Sequence, residues 1–582
     1  MKNYKKVYAA FILAGGLILH GCNGIFDDLA INPNQPSMGA YFTSPSAVND
    51  AVMTMYGYMS TQRCLGASGS KTTIIRSDEA SSNSDYGKPG MFGADLNASY
   101  YTIEQPYTLM YTTASQASYI IETAPSVDFS GNEELRNAYM GEAYFWRAFA
   151  HYYLLINFRN ISPIRQMPRN GDDYVRPLEK PAAVWNFIQE DLAHAKELLP
   201  VKGYWDSKNA GRVTKASAAA LLGKAYLYRS GIEQYYGEDK TTFYSEAAKE
   251  FGDVIDGKYG TYDLTKNYAD NFDVAHENNE ESILEFQFLG DVDNAGFNPG
   301  LATSGLAFDS RGLMLPGAGV GYEGVVHNWL YNAFVNSVDK DGYTDIRMFS
   351  TMIFNDLDAS IHLRNDAGGN SVRLEGPGGY KWEELYPAKN GKEGFATVSN
   401  PLAHSFKAGI RKGIDCSMPT QTEADGTPKL VGVGAGVKEY VYNQPRAHGV
   451  NWRYIRYADV LMMYAEAVVS GGTQASNMTP LQAVNKVRGR ANMSELPSVT
   501  MTDIQNERIL EFALEGHRFY DLLRWGKLAS RFTELQESDP NFKKFISADD
   551  FKGFVTNKHE WLPIPINEVN SNPYITENNP GY

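Results

Sequence analysis

The most informative segment of the chain is 507–526, with the sequence ERILEFALEGHRFYDLLRWG. Within it Glu511, Glu515 and Arg518 are spaced i, i+4 and i+7, which places them on one side of a helix. Arg518 can pair with Glu515 or Asp521, each three residues away. Such charges specify geometry more reliably than they stabilise a fold. We therefore predict a fold-holding network, with ligand binding by these charges as the alternative.

The predicted partner of this segment is a second helix that begins near Arg456 and carries further charges. Partly buried ion pairs between two such helices would fix how they pack. The positions assigned to the network are Arg456, Asp459, Glu466, Arg488, Glu511, Glu515, Arg518 and Asp521.

Helical patterns dominate both ends of the chain. Ser44 is a good N-cap for a helix over 44–60, and Thr214 is one for a helix over 215–229 that Gly231 would end. Apolar residues recur at helical spacing in the other segments. The predicted helices are 44–60, 106–123, 132–157, 180–199, 215–229, 242–255, 454–469, 480–491 and 503–528.

The helices over 215–229 and 242–255 have the pattern of a packed pair. Small Ala218 and Ala225 lie on one face of the first and allow close approach, while the second carries Ala247 and Phe251, an Ala-x-x-x-Phe feature typical of tetratricopeptide repeats. No regular 34-residue period is present. The fold class predicted is mainly α, with irregular tetratricopeptide-like helical pairs; a plain helical bundle is the alternative.

The middle of the chain has a different character. From about residue 257 to 451 it is rich in Gly, Asn, Asp and aromatic residues, and 283–288 alternates like a short strand. Segments 376–380 and 432–436 have loop composition. We predict a loop-rich part with short β-strands, where binding residues usually lie.

Composition excludes several classes of protein. The 582 residues are 43% hydrophobic and carry a net charge of −15, which argues against a nucleic-acid binder. Three Cys are too few for a disulfide scaffold or a Cys-rich metal cluster. Cys64 and Cys416 are left as a disulfide pair or as two buried thiols.

The N-terminus has the layout of a secretory signal. Lys2, Lys5 and Lys6 precede a short apolar run over 11–19, and Leu-His-Gly-Cys follows, ending at Cys22. That ending resembles a bacterial lipobox, which implies cleavage before Cys22 and its lipidation; an ordinary signal with an incidental Cys is the alternative. The expected parts are a signal peptide, 1–21, and a lipid-anchored tether, 22–40.

Taken with the closing Trp561-Leu-Pro-Ile-Pro565, the charged motifs resemble the RagB/SusD family of outer-membrane lipoproteins. The resemblance covers essentially the whole chain. It implies four tetratricopeptide-like units, a position on the outer face of the Bacteroidetes outer membrane, glycan binding without catalysis, and a SusC-like TonB-dependent transporter as partner. The regions expected are an N-terminal helical region over 41–260, a loop-rich ligand-binding region over 261–451 and a C-terminal helical region over 452–582.

The family places ligand residues after the first helical pair and in the loop-rich middle. Aromatic rings cover the C–H faces of sugars, and polar side chains bind the hydroxyls. Tyr86, Trp329 and Trp382 are the leading platforms, with Asp78 and Asn97 as polar partners. For the aromatics the alternative is core packing or partner contact, and for Asp78 it is a structural role. The complete set of expected ligand residues is Asp78, Tyr86, Phe92, Asn97, Tyr100, Phe297, Trp329, Tyr380 and Trp382.

Motifs for catalysis or cofactors have little support in the sequence. His276-Glu277 begins a zinc-like spacing but lacks the second His, so we interpret it as a solvated acidic stretch. No cofactor is expected; Asp-rich loops leave a structural Ca²⁺ open, without EF-hand spacing. Two alternative functions stay open, a lipid-anchored glycoside hydrolase and a lid of the same family that binds peptide.

Overall fold

The computed structural model describes residues 42–82, 96–288, 308–309, 324–365, 381–397, 405–412, 430–432, 438–440, 447–448, 450–539, 542 and 554–582. The predicted signal peptide and tether, with Cys22, lie outside these residues. Cys416 lies outside them as well, whereas Cys64 is a buried free thiol. Within the described residues, no helix is both long enough and apolar enough to cross a membrane.

Helices make up most of the described chain, which confirms the predicted fold class. Short 3₁₀ turns and a segment that is kinked at Cys64, Gln62–Gly69, connect some of them. The α-helices are α1 (Pro45–Ser60), α2 (Ser70–Ile74), α3 (Tyr101–Thr123), α4 (Glu133–Phe158), α5 (Pro181–Leu198), α6 (Lys215–Tyr236), α7 (Tyr244–Ile255), α8 (Asn328–Val335), α9 (Met348–Thr351), α10 (Trp382–Leu385), α11 (Tyr457–Val469), α12 (Pro480–Arg490), α13 (Met501–Glu511), α14 (Arg518–Arg524), α15 (Leu528–Ser538) and α16 (Ile566–Ser571).

Capping side chains account for several helix starts. The Ser44 hydroxyl accepts a hydrogen bond from the Ala47 amide at the start of α1, and the Asn132 side chain does the same for Leu135 in α4. Thr479 and its neighbour three residues on form a capping box at α12. These starts agree with the sequence prediction to within one residue.

The longer helices pack as consecutive pairs. Helix α1 lies on α3, α4 on α5, α6 on α7, and α11 on α12, and contacts between α3 and α4, α5 and α6, and α7 and α11 join one pair to the next. Ala247 and Phe251 of α7 are both fully buried. Within the described residues, the chain therefore forms four helical pairs of the tetratricopeptide-like kind.

The predicted end of α6 at Gly231 is wrong, because the helix continues to Tyr236. A Cβ at Gly231 would lie 2.5 Å from the carbonyl oxygen of Arg524. This glycine therefore serves close packing inside the helix and does not terminate it.

The predicted single helix over 503–528 is also wrong. Two helices, α13 and α14, occupy this range, and α15 begins at its last residue; the chain turns sharply between α13 and α14. Leu514 and Gly516 in that turn have φ angles of 62° and 85°, which a continuous α-helix does not allow. Glu511 and Arg518 consequently lie on different helices.

Short strands connect the loop-rich part to the helices. One four-stranded antiparallel sheet has the order β1-β4-β6-β5, and β2 pairs with β10, β3 with β9 and β7 with β8. The strands are β1 (Ala80–Ser82), β2 (Ser282–Phe286), β3 (Phe308–Asp309), β4 (Gly324–Val326), β5 (Met352–Phe354), β6 (Ala408–Ile410), β7 (Leu430–Gly432), β8 (Lys438–Tyr440), β9 (Ala447–His448) and β10 (Trp452–Arg456).

Arg456, at the junction of β10 and α11, is completely buried and forms the centre of an ion-pair network. Its guanidinium contacts the carboxylates of Glu281 at 2.6 Å and Glu511 at 2.7 Å. It also contacts the Glu515 carboxylate at 2.8 Å and donates to the main-chain oxygen of Glu511. One arginine therefore joins the β2–β10 ribbon to α13 and to the turn that follows it.

Glu511 is shared by arginines from three parts of the chain. Besides Arg456, its carboxylate contacts Arg490, and Arg347 at 3.0 Å. Burial by itself would raise the pKa of Glu511, but Arg490, Arg456 and Arg347 hold it well below its usual range. This carboxylate stays charged in the interior because it is surrounded by cations.

The other charged positions of the predicted network also form ion pairs. Asp459 contacts Arg508 at 2.8 Å and Lys224 at 3.1 Å, all three being buried. Further pairs of the network are Arg490–Glu281, Arg347–Glu507, Arg488–Glu507, Arg508–Asp521, Arg524–Asp521, Arg524–Glu466 and Lys412–Glu515.

Replacement of Arg456 by Ala should strongly destabilise the protein. The substitution leaves Glu281, Glu511 and Glu515 buried without their shared cation, and breaking a buried pair costs roughly 3–5 kcal/mol. The free energy of unfolding, from urea titration followed by circular dichroism, measures this loss.

Arg136→Ala is the matched control, because Arg136 lies 3.9 Å from the exposed Glu133. Its cost should stay within about 1 kcal/mol, as for other surface pairs. Equal unfolding midpoints for the two variants would contradict a central role for Arg456.

Candidate functional site

The structure brings the two predicted ligand segments together through one strand pair. Strand β1 follows the Asp78–Glu79 pair directly, and β4 ends just before the helix that carries Trp329. The strands are antiparallel, with Ala80 opposite Val326. Trp329 and Asp78, 251 positions apart in the chain, therefore lie in contact.

Trp329 is half-buried, and polar contacts fix the orientation of its ring. The indole Nε1–H donates a hydrogen bond to the main-chain oxygen of Asp78 at 2.5 Å. The guanidinium carbon of Arg531 lies 4.2 Å from the ring centroid, and that of Arg518 lies 5.4 Å from it. These cation–π contacts add to the hydrogen bond in holding the ring.

Asp78 holds those two arginines in place. Its carboxylate accepts hydrogen bonds from Arg518 Nε at 2.9 Å and Nη2 at 3.1 Å, and from Arg531 Nε at 2.6 Å. Burial by itself would raise the pKa of Asp78, but Arg518 and then Arg531 hold it below its usual range. The carboxylate is charged, fully buried and bound by both arginines.

This geometry corrects two expectations. Asp78 is not placed to bind a sugar hydroxyl, because its side chain is 0% exposed and both oxygens are bound by arginine; the structural alternative fits it. Arg518 pairs with Asp78 rather than with Glu515 or Asp521. The sharp turn before α14 moves Arg518 out of helical register with Glu515, so the spacing argument does not apply.

Glu79 anchors that same turn. Its Oε1 accepts a hydrogen bond from the Leu514 amide at 2.9 Å, and Oε2 lies 3.1 Å from the Ser77 hydroxyl, which donates to it. Burial raises the pKa of Glu79 to about 8; the Leu514 amide opposes the rise, and the charge of Asp78 adds to it. The segment before β1 is thus tied to the C-terminal motif at two successive residues.

His327 links the β1 segment to the start of α8 through hydrogen bonds. One ring nitrogen lies 2.7 Å from the main-chain oxygen of Asp78, and the other lies 2.6 Å from the Ser81 hydroxyl. Its backbone amide also donates a hydrogen bond to the main-chain oxygen of Glu79. These hydrogen bonds fix the backbone two residues before Trp329 against the β1 segment.

Asn97 and Tyr100 lie at the start of α3. The Asn97 side chain is exposed and accepts a hydrogen bond from the Ser99 amide at 2.9 Å. Tyr100 is half-buried, with its ring 5.5 Å from that of Tyr101, which is 37% exposed. Their role as ligand residues stays a prediction.

Trp382 corrects another expectation, because it is not an exposed platform. Its ring is 6% exposed and packs against Tyr386 at 4.7 Å and Phe395 at 4.8 Å between centroids. The alternative of core packing fits this residue. The remaining predicted platforms, Tyr86, Phe92, Phe297 and Tyr380, lie outside the described residues.

Trp329, Asp78, Arg518 and Arg531 form the Trp329 cluster, and of these Arg531 was not predicted from the sequence. It lies on α15, 453 positions from Asp78, and no local spacing marks it as a partner. The only member of the cluster that the sequence marked as a ligand platform was its neighbour Trp329, as an aromatic residue in a loop-rich region.

The zinc-like segment has ordinary polar contacts. His276 Nδ1 lies 3.1 Å from the Asp273 carboxylate, and Glu277 accepts a hydrogen bond from the Asn451 amide. Across the residues that the structure describes, no group of three or more His, Cys, Asp or Glu side chains is arranged to hold a metal.

Comparison with protein families gives two matches in separate parts of the chain. The model described as "SusD family" matches residues 421–582. The model described as "Starch-binding associating with outer membrane" matches residues 31–227. These regions include most of the four helical pairs and the charged C-terminal motif.

Curated relatives align with nearly the whole chain. A SusD-like protein of Bacteroides ovatus is 24% identical over 532 residues, which cover 90% of this chain and 83% of that protein. SusD-like protein P2 of Formosa agariphila is 25% identical, and the alignment covers 100% of both chains.

Solved structures share the fold. A laminarin binding SusD-like protein has a TM-score of 0.63 and 22% identity, covering 93% of this chain and 100% of that one. A structure described as being with xylogluco-oligosaccharide has a TM-score of 0.58 and 20% identity, and the alignment covers 90% of this chain and 98% of that one.

The raised pKa of Glu79 predicts a specific pH dependence of stability. Between pH 4.5 and about 8 the folded chain keeps a proton on Glu79 that the unfolded chain has released, so this group makes stability fall as pH rises. Glu79→Gln keeps an oxygen for the Leu514 amide and carries no charge. In urea unfolding between pH 5 and pH 8, the variant should gain stability relative to wild type as the pH rises, by up to about 1.4 kcal/mol per pH unit.

Glu133→Gln, at an exposed carboxylate, is the control and should follow wild type across this range. If the Glu79→Gln curve also ran parallel to wild type, Glu79 would not hold the extra proton.

Proposed function

The chain belongs to the SusD/RagB family, and we propose that it is a cell-surface glycan-binding lipoprotein that delivers oligosaccharide to a SusC-like TonB-dependent transporter. SusD-like family members are carbohydrate-binding proteins rather than enzymes. The proposal for this chain therefore concerns capture and transfer of a glycan, without cleavage.

The observation that carries the proposal is the fixed, half-buried ring of Trp329. It follows the strand β4 that pairs with β1, and it contacts Asp78 just before β1. A ring already held by Asp78 and Arg531 loses little conformational freedom when a ligand packs on it. Such a preorganised aromatic suits the C–H face of a sugar.

The expected affinity is modest. Sugar hydroxyls exchange hydrogen bonds with water for hydrogen bonds with protein, so each contributes about 1 kcal/mol net. Most of the selectivity would then come from how several rings match the shape of the glycan. Laminarin and xylogluco-oligosaccharide are named with two proteins of this fold, which supports a glycan as ligand class.

Lipidation at Cys22 and location in the outer membrane are part of the proposal. The lipobox-like residues before Cys22 support the anchor, and the matched family description mentions the outer membrane. The net charge of −15 would repel anionic head groups, so the lipid rather than a protein face would hold the chain at the membrane.

Affinity electrophoresis in gels containing laminarin, xyloglucan or starch tests glycan binding. Wild type should be retarded by at least one polysaccharide, and Trp329→Ala should lose most of that retardation, because removal of a stacked ring costs roughly 1 kcal/mol or more. Tyr574→Ala removes an exposed ring outside the cluster and serves as the control.

The other family functions give different results in the same experiment. New reducing ends after incubation with polysaccharide would indicate a glycoside hydrolase. Retention of a peptide pool, with no retardation by any glycan, would indicate a peptide-binding lid. Normal retardation of Trp329→Ala would show that the glycan binds elsewhere.

Cys22→Ala should release the protein from the membrane without affecting its ligand. The substitution removes the thiol that carries the lipid, and stable anchoring needs more than one acyl chain. Cell fractionation should move the variant from the membrane to the soluble fraction, while affinity electrophoresis stays as in wild type. Continued membrane fractionation would contradict the proposed anchor.

A further inference from the structure

A cavity of about 860 Å³ lies away from Trp329, between the α6–α7 pair and the ends of α11, α13 and α14. Its wall contains none of the residues of the Trp329 cluster. The volume falls within the roughly 300–1,000 Å³ that is usual for small-molecule sites.

Two glycines shape this cavity. Gly231 of α6 allows the main-chain oxygen of Arg524 to approach closely. Gly526 has a φ angle of 63°, and a Cβ there would lie 2.5 Å from the ring of Tyr235. Larger residues at either position would push α6 away from the end of α14.

Tyr235 is the most exposed aromatic side chain in the wall. Its ring packs on the backbone of Gly526, yet the residue is 52% exposed. Tyr244 and Trp525 also line the cavity. The wall therefore combines a supported, solvent-exposed ring with two further aromatic residues, as a platform for an apolar ligand face requires.

Glu466 has a buried carboxylate oxygen that no described residue hydrogen-bonds. Its Oε1 contacts Arg524 and accepts a hydrogen bond from the Trp525 indole at 3.0 Å. Its Oε2 is buried and accepts no hydrogen bond from the part of the chain that the structure describes. An unsatisfied buried acceptor is costly, and Glu466 is one of the residues that line the cavity.

The charges in the wall balance. Glu246 and Glu466 are opposed by Arg524 and Lys527, and the ammonium group of Lys527 donates to the side-chain oxygen of Gln505 at 2.6 Å. A strongly cationic or anionic ligand gains little from such a wall. A neutral ligand rich in hydroxyl groups can use its donors and acceptors together.

We propose that this cavity is a second saccharide-binding site, with Tyr235 as the platform and Glu466 as an acceptor for a sugar hydroxyl. The choice of ligand class rests on the proposed glycan-binding function. The location of the second site does not rest on that function, because it follows from the cavity, the Tyr235 ring and the unpartnered Glu466 oxygen.

Hydrogen–deuterium exchange with intact protein tests the proposal site by site. The probes are laminarihexaose, maltohexaose and a xylogluco-oligosaccharide, each titrated with wild type, Trp329→Ala and Tyr235→Ala. At least one probe should slow exchange over 227–246 and 501–527, and Trp329→Ala should keep this protection. Tyr235→Ala should weaken it about five- to tenfold in apparent affinity, as expected for a lost aromatic contact.

Two further variants keep the test independent of folding. Glu466→Gln retains an oxygen for Trp525 but replaces the second oxygen with an amide, and it should also weaken protection. Tyr574→Ala, at an exposed tyrosine outside the cavity, should match wild type. Circular dichroism melting shows whether each variant keeps its fold. If Glu466→Gln unfolds, the conclusion rests on Tyr235→Ala.

The outcomes separate the two proposals. Binding that Trp329→Ala abolishes, with unchanged exchange around the cavity, would overturn the second site and leave the proposed function intact. No binding of any probe by wild type would count against both proposals.

Discussion

The fold depends on keeping Arg456 neutralised in a fully buried position. Three carboxylates from two distant parts of the chain, Glu281 on one side and Glu511 with Glu515 on the other, meet on this one guanidinium. Glu511 is also shared with two more arginines. Burying isolated charges would cost many kcal/mol, so a chain arrangement that left one partner elsewhere would be strongly disfavoured. The network therefore favours one packing of the helices, even where it contributes little net stability.

The same constraint extends from the core to the candidate site. The turn after α13 is held through the Leu514 amide on Glu79, and α14 then presents Arg518 to Asp78. Asp78 in turn orients Trp329 through its main-chain oxygen. The charged motif thereby fixes an aromatic ring in the loop-rich part, which explains how a segment of loop-like composition can carry a preorganised ring.

The sequence predicted most of the helices, because helix caps and apolar spacing act between neighbouring residues. It could not predict contacts between residues that are far apart in the chain. Caps such as Ser44 and Asn132 act within three residues, so the pattern alone located those helix starts. Spacing could not show that Arg518 would choose a partner 440 positions away. Aromatic content likewise could not separate the buried Trp382 from the half-buried Trp329, since exposure depends on neighbours that only the folded chain brings together.

Helix α14 also fixes how the two candidate sites are related. Arg518 near its start supports the Trp329 cluster, whereas Arg524 at its end contacts Glu466 in the cavity wall. Six residues of α-helix span about 9 Å, and α14 is buried along its length, so these two supports cannot shift independently. Two weak saccharide sites on one rigid element would hold a single glycan chain more tightly than either alone, provided that the chain can reach both. The buried charges that specify the fold would then also set the spacing at which a polymer is recognised.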